Sequence, residues 1–115
     1  MATLPDHERA LIPNSKLRYC LDPTHPTGRH KARVFQSALG LAASDAARLE
    51  QLLRTGIAGH DATLTCTFTD GTERWVVEWV VAGRLGPVRF VSAWDRRRGE
   101  PAPRLISCYL KKAKR

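Results

Sequence analysis

Near residue 62 the spacing of apolar residues changes from a helical period to a strand period, and it does not change back. Upstream, Leu17 and Leu21 recur four apart. Ala32, Phe35, Ala38 and Leu39 form a second stripe, and Ala46, Leu49, Leu52 and Leu53 a third. Downstream, apolar and polar residues alternate. Helices followed by strands joined through short turns cannot build a parallel sheet, which needs a long crossover between strands. The order therefore predicts an α+β fold, with N-terminal helices packed on one face of an antiparallel sheet.

The helical stripes place helices from Asn14 or Ser15 to about Leu21, from about Arg29 to Leu39, and from Ser44-Asp45 to about Gly56. Asn14 or Ser15 is the expected cap of the first, and Gly40 the stop of the second. The alternation places four strands, Thr63–Thr69, Thr72–Val81, Val88–Asp95 and Arg104–Leu110, with Asp70-Gly71 as a hairpin turn. Leu64, Cys66 and Phe68 are expected on one face. Trp75, Val77, Trp79 and Val81 share the core face of a central strand, which favours packing over base stacking for Trp75 and Trp79. On the third strand Arg89, Val91 and Ala93 oppose Phe90, Ser92 and Trp94. On the fourth, Leu105, Ser107 and Tyr109 oppose Arg104, Ile106 and Cys108. Arg9-Ala10-Leu11-Ile12 could add a short fifth edge strand. Residues 1–115 read as a single domain, with an irregular segment over 1–13 and a mobile basic tail over 111–115.

Charge is the compositional anomaly. The 115 residues carry 19 Lys+Arg against 11 Asp+Glu, a net charge of +8. Such an excess favours a polyanionic partner, most often nucleic acid. The three cysteines, Cys20, Cys66 and Cys108, are widely spaced and odd in number. No disulfide framework is expected, and all three read as small core hydrophobes. The four histidines show no ligand spacing, so neither a metal nor a cofactor is expected. No apolar run approaches the length of a membrane span and no signal-type apolar segment is present, so the expected compartment is the cytoplasm and no membrane partner is expected.

The run from His25 to Phe35 concentrates the functional chemistry. A Pro/Gly turn carries His25 and then delivers Arg29, His30, Lys31 and Arg33 onto the opening of a helix. A helix start already presents unpaired N–H groups and partial positive charge. Further cations there are costly unless an anion occupies the site, and phosphate fits. The alternative is a solvated basic face. His25 can move a proton near neutral pH, and Lys31 can hold anionic charge. Arg89, among apolar strand residues, needs a partner. Small hydroxyls such as Ser107 and Tyr109 could complete a polar platform. A base, a cation and a proton donor are what metal-free RNA cleavage through 2′-OH attack requires. Arg96, Arg97 and Arg98 are most simply a solvated loop, and in a binding mode would touch backbone phosphates.

The chain resembles an uncharacterised bacterial domain-of-unknown-function family, found as small stand-alone proteins and at the C-terminal tips of polymorphic toxins. The likeness is carried by Leu4-Pro5, Ala10-Leu11-Ile12-Pro13, Lys16-Leu17 and Tyr19. It continues through His25-Pro26, Gly28, Lys31-Ala32 and Phe35, and then Trp94, Gly99, Pro103-Arg104-Leu105, Ser107 and Tyr109. By fold analogy the layout is similar to barnase, EndoU, colicin and RelE-like ribonucleases. The resemblance implies a toxin acting on RNA (tRNA or mRNA) and paired with a small acidic antitoxin or immunity protein. It also implies His25, Lys31, Ser107 and Tyr109 as site residues. The family tends to place a basic residue at the position of Val91, and Arg89 on the same face is the expected substitute. Arg29, His30, Arg33, Arg96, Arg97 and Arg98 are the expected RNA-binding residues. The competing expectations are a non-catalytic nucleic-acid- or protein-binding module, and an adaptor whose charge serves solubility.

Overall fold

A computed structural model describes residues 2–112. Three helices precede four strands: α1 (Asn14–Leu21), α2 (Arg29–Leu39), α3 (Ala46–Gly59), then β1 (Ala62–Thr67), β2 (Glu73–Gly83), β3 (Gly86–Arg96) and β4 (Arg104–Lys112). The strands form one antiparallel sheet in the order β1-β2-β3-β4, so each hydrogen-bonds to its neighbour in sequence. This is the expected α+β layout.

Leu17, Leu21, Phe35, Leu49, Leu53 and Ile57 from the helices meet Val77, Trp79, Phe90, Trp94 and Leu110 from the sheet. Each such side chain contributes about 1.5–3 kcal/mol by leaving water. The helix ends follow local chemistry. Gly40 adopts φ 69°, its N–H bonds Gln36 O, and Leu41 N–H bonds Phe35 O, which closes α2. Helix α1 starts differently from expectation. Extended Pro13 supplies the carbonyl that accepts from Lys16 and Leu17, and neither Asn14 nor Ser15 caps by side chain. Helix α3 runs through Gly56 to Gly59. Gly56 is a contact rather than a stop, because a Cβ there would collide with the Trp79 indole.

The first segment differs from a full fifth strand. Only Leu11 bridges β4, in parallel, through Leu11 N–H to Pro103 O (2.8 Å) and Leu105 N–H to Leu11 O (3.0 Å). Pro13 lacks an N–H and α1 begins at once, so the pairing cannot extend. A short 3-10 turn, His7–Arg9, interrupts the otherwise irregular start. Strand β4 includes Lys111 and Lys112, which shortens the expected tail. Residues 113–115 of that tail lie outside the described residues.

Two β-bulges redirect side chains. In β1, Leu64 pairs with Trp75 but Cys66 pairs with Arg74, so Thr65 is the extra residue and Cys66 changes face. The expected common face of Leu64, Cys66 and Phe68 is therefore broken. The helical layer packs on β2 and β4, and β1 lies largely in solvent, with Leu64 44% exposed and Phe68, just beyond the strand, 40% exposed. Cys66 is exposed rather than a core residue. In β4, Ser107 pairs with Ala93 and Leu105 with Trp94, leaving Ile106 as the extra residue. Leu105 thereby turns into the core beside Cys108, whereas Ser107 and Tyr109 share the open face.

Candidate functional site

The turn before α2 is built around one imidazole. His25 Nδ1 accepts from Thr27 N–H and Gly28 N–H, both at 3.1 Å, and lies 3.1 Å from Thr27 Oγ1. Two backbone donors on Nδ1 require its lone pair, so the ring hydrogen resides on Nε2. The Tyr19 ring of α1 meets His25 edge-on, with centroids 4.5 Å apart, and Tyr19 Oη is 3.2 Å from Thr27 Oγ1. Gly28 leaves room for that tyrosine: a Cβ would stand 3.1 Å from its Cζ. Asp22 closes the start of the same loop by accepting from Thr24 Oγ1 (2.7 Å) and Thr24 N–H (2.8 Å). The Thr24 hydroxyl, then its N–H, hold the Asp22 carboxyl below the usual range.

One turn into α2, Lys31 extends over the sheet edge and places Nζ 5.3 Å from the Tyr109 ring centroid, a cation–π contact between α2 and β4. Ser107 lies two residues from Tyr109 on the same open face. The structure thus pairs His25 with Tyr19 at the turn before α2 and Lys31 with Tyr109 at the β4 edge, with Ser107 beside Tyr109 on the open face. Sequence reasoning passed over Tyr19 as a site neighbour. Its place was legible only in the family pattern, because the contact depends on the chain folding back over Gly28.

Arg89 occupies a different setting. It pairs with Glu78 at 3.4 Å, and Glu78 also receives Lys111 at 3.3 Å. The partner that Arg89 needed is Glu78, and this ion pair stands where a phosphate was expected. Val91, at the family's basic position, is 4% exposed at the floor of a groove of about 490 Å³. Asp61, Thr63, Thr65, Val76, Glu78, Ala93 and Tyr109 form the rest of that groove on the open sheet face.

The arginine loop lies elsewhere again. Arg96 bonds Asp6 (3.1 Å), Glu73 (3.5 Å) and Pro101 O (3.0 Å). Arg97 and Arg98 are exposed beside a pocket of about 340 Å³ between this loop and the β1–β2 turn. Five strand residues, about 16 Å, separate Arg104 at this end from Tyr109.

The cations therefore divide into two populations. On the sheet, Arg74 pairs with Asp95, Arg89 and Lys111 with Glu78, Arg96 with Asp6 and Glu73, and Arg104 with Glu100. Residues 9–44 contain six Lys/Arg and a single acid, Asp22. Among the described residues none of Lys16, Arg18, Arg29, Lys31 and Arg33 makes an ion pair. All five are exposed, together with His30. Among the described residues the largest cluster of unneutralised charge sits on α1 and α2, while Arg9, Arg84, Arg97 and Arg98 are exposed cations without an ion pair elsewhere.

No group of three or more His, Cys, Asp or Glu with metal-binding proximity occurs among the described residues. No described helix is long and apolar enough to cross a membrane. A family described as a domain of unknown function, DUF6883, matches residues 3–112. The chain belongs to the DUF6883 family. The match spans all three helices and the whole sheet, so the DUF6883 unit includes both the α2 start and the β4 edge. No curated protein and no solved structure matches the chain.

Proposed function

We propose that this DUF6883 protein is an RNA-directed toxin that binds the RNA backbone across α1 and α2 and cleaves it without a metal at the α2–β4 corner. The observation that carries this reading is the segregation of charge. Five exposed cations on two adjoining helices have no acidic partner among the described residues, whereas Arg74, Arg89, Arg96, Arg104 and Lys111 of the sheet are paired. A surface of that kind is stabilised by a polyanion, and counterion release supplies the affinity. Lys31 holds the charge that develops on the phosphorus oxygens. His25 Nε2–H, with Nδ1 committed to two N–H donors, hydrogen-bonds a non-bridging phosphate oxygen, and Tyr109 relays the proton lost by the 2′-OH to the departing 5′ oxygen. Ser107 positions the phosphate from the adjoining strand position. Arg89 supports the sheet beneath rather than the phosphate itself, and Arg97 and Arg98 extend the backbone track. A small acidic antitoxin or immunity protein would inhibit by covering the same helices.

A second reading, a non-catalytic RNA-binding module, draws on the His25 hydrogen bonds. Holding the turn that precedes α2 accounts for that histidine without any reaction.

The deciding experiment incubates purified protein with end-labelled RNA in the presence of a chelator. Cleavage that is lost in Lys31→Ala, together with growth arrest on expression in bacteria, is the expected result. Retained binding with intact RNA would establish the second reading. Absence of both binding and growth arrest would overturn both. For binding, Lys31→Ala should reduce the slope of log affinity against log salt by about 0.7, the single-strand value for one phosphate contact. Arg89→Ala should leave that slope unchanged.

A further inference from the structure

Cys20 of α1 and Cys108 of β4 stand 88 residues apart in sequence and meet inside the core. Their sulfurs are 3.5 Å apart, with the Cys108 thiol donating, and Cys20 Sγ lies 3.8 Å from Cys108 O. We propose that this pair is a redox-modification site, at which a peroxide converts the two thiols into a disulfide that ties α1 to β4. The proposal does not depend on any action toward RNA.

The chemistry is asymmetric. The hydrogen bond from Cys108 lowers the Cys20 thiol to about 7 against the opposing effect of burial, and the Lys31 and Lys16 charges assist. The same contact, with burial, pushes the Cys108 thiol up. Cys20 is thus the thiol that ionises first, and the thiolate is the nucleophile. Its sulfur attacks one peroxide oxygen, the O–O bond breaks, and hydroxide leaves to become water. Cys20 is then a sulfenic acid. Cys108 sulfur attacks Cys20 sulfur as it gives up its proton, the S–O bond breaks, and a second water departs. Two thiols lose two electrons in all, and one peroxide gains them. Closing 3.5 Å to a bond of about 2.05 Å asks for a small shift of α1 toward the sheet. Hydrogen peroxide is small enough to enter on local opening of an eight-residue helix.

The placement adds a consequence. Tyr19, against His25, is the chain neighbour of Cys20, and Tyr109, under Lys31, is the neighbour of Cys108. The cross-link would fasten together both tyrosines of the α2–β4 corner.

The test uses the full chain carrying Cys66→Ser, which removes the exposed thiol. Reduced protein is treated with hydrogen peroxide, quenched, denatured, labelled with N-ethylmaleimide and analysed by peptide mass spectrometry. A linked peptide pair containing Cys20 and Cys108, absent after dithiothreitol, is the expected result. A Tm rise of at least about 10 °C should accompany it, as closure of so long a loop requires. Free, maleimide-labelled Cys20 and Cys108 after treatment would overturn the proposal. So would their separate oxidation to sulfinic acids without a linked peptide.

Discussion

Trp94 Nε1–H donates to Ser92 Oγ at 2.9 Å, and Ser92 Oγ–H donates to Val77 O at 3.0 Å. Trp94 and Ser92 are both fully buried, and the serine is the polar residue within an apolar layer. Its hydroxyl satisfies the indole that the helices cover. Without it, Trp94 would leave a donor unpaired in a dry core.

Ser92→Ala should therefore destabilise the fold by about 2 kcal/mol, the usual penalty for stranding a buried donor. Denaturant unfolding measures it. The double variant Ser92→Ala/Trp94→Phe should cost less than the sum of the two single changes, because the stranded N–H is gone. Strict additivity would sink this account of the pair.

Gly56→Ala sets two effects against each other. Replacing glycine inside a helix gains about 1 kcal/mol from propensity. The new methyl group must displace the Trp79 ring, itself stacked on Phe90 with centroids 4.7 Å apart. Overpacking of this kind costs about 1–3 kcal/mol. A lowered midpoint in denaturant is expected, with Gly59→Ala, which meets nothing within 4 Å, raising it or leaving it unchanged.

His25 can be divided into its two roles. His25→Ala removes the acceptor for Thr27 and Gly28 N–H and should cost about 1 kcal/mol, as loss of a turn-holding hydrogen bond does. His25→Asn keeps a side-chain acceptor for the turn but presents no donor at the Nε2 position. Stability near that of the wild type with cleavage abolished is the expected outcome for His25→Asn. Full cleavage by this variant would remove His25 from the reaction.

Cross-linking by peroxide should depend on pH through Cys20. With its thiol lowered to about 7, the thiolate fraction climbs as pH rises through 7 and is nearly complete by the ordinary thiol range near 9. The initial rate at limiting peroxide, followed by loss of maleimide labelling, should rise tenfold between pH 6 and about 8 and then flatten. A rate still rising steeply above pH 9 would contradict the assignment.

Much of the fold was legible because it rests on short-range pattern. The bounds of α2, Arg29 to Gly40, follow from a Gly/Pro turn and a glycine stop, both local. The strand faces of β2 and β3 follow from strict alternation. What escaped was non-local. A single extra residue, Thr65 or Ile106, reverses every later side chain, and no residue type announced either bulge. The meeting of Cys20 with Cys108 depends on tertiary packing. At the candidate site, the closeness of Lys31 to Tyr109 followed the family pattern, but the neutralisation of Arg89 by Glu78 depends on register across β2 and β3.

The division of cations between helices and sheet also gives the molecule an electrical orientation. Paired charges largely cancel at a distance, so among the described residues the cations of α1 and α2 form the largest uncompensated cluster. In dilute salt the protein would rotate as it nears an anionic polymer and arrive helices first, before any contact forms. Raising the ionic strength would erase that bias and slow capture, even where the final complex stayed the same.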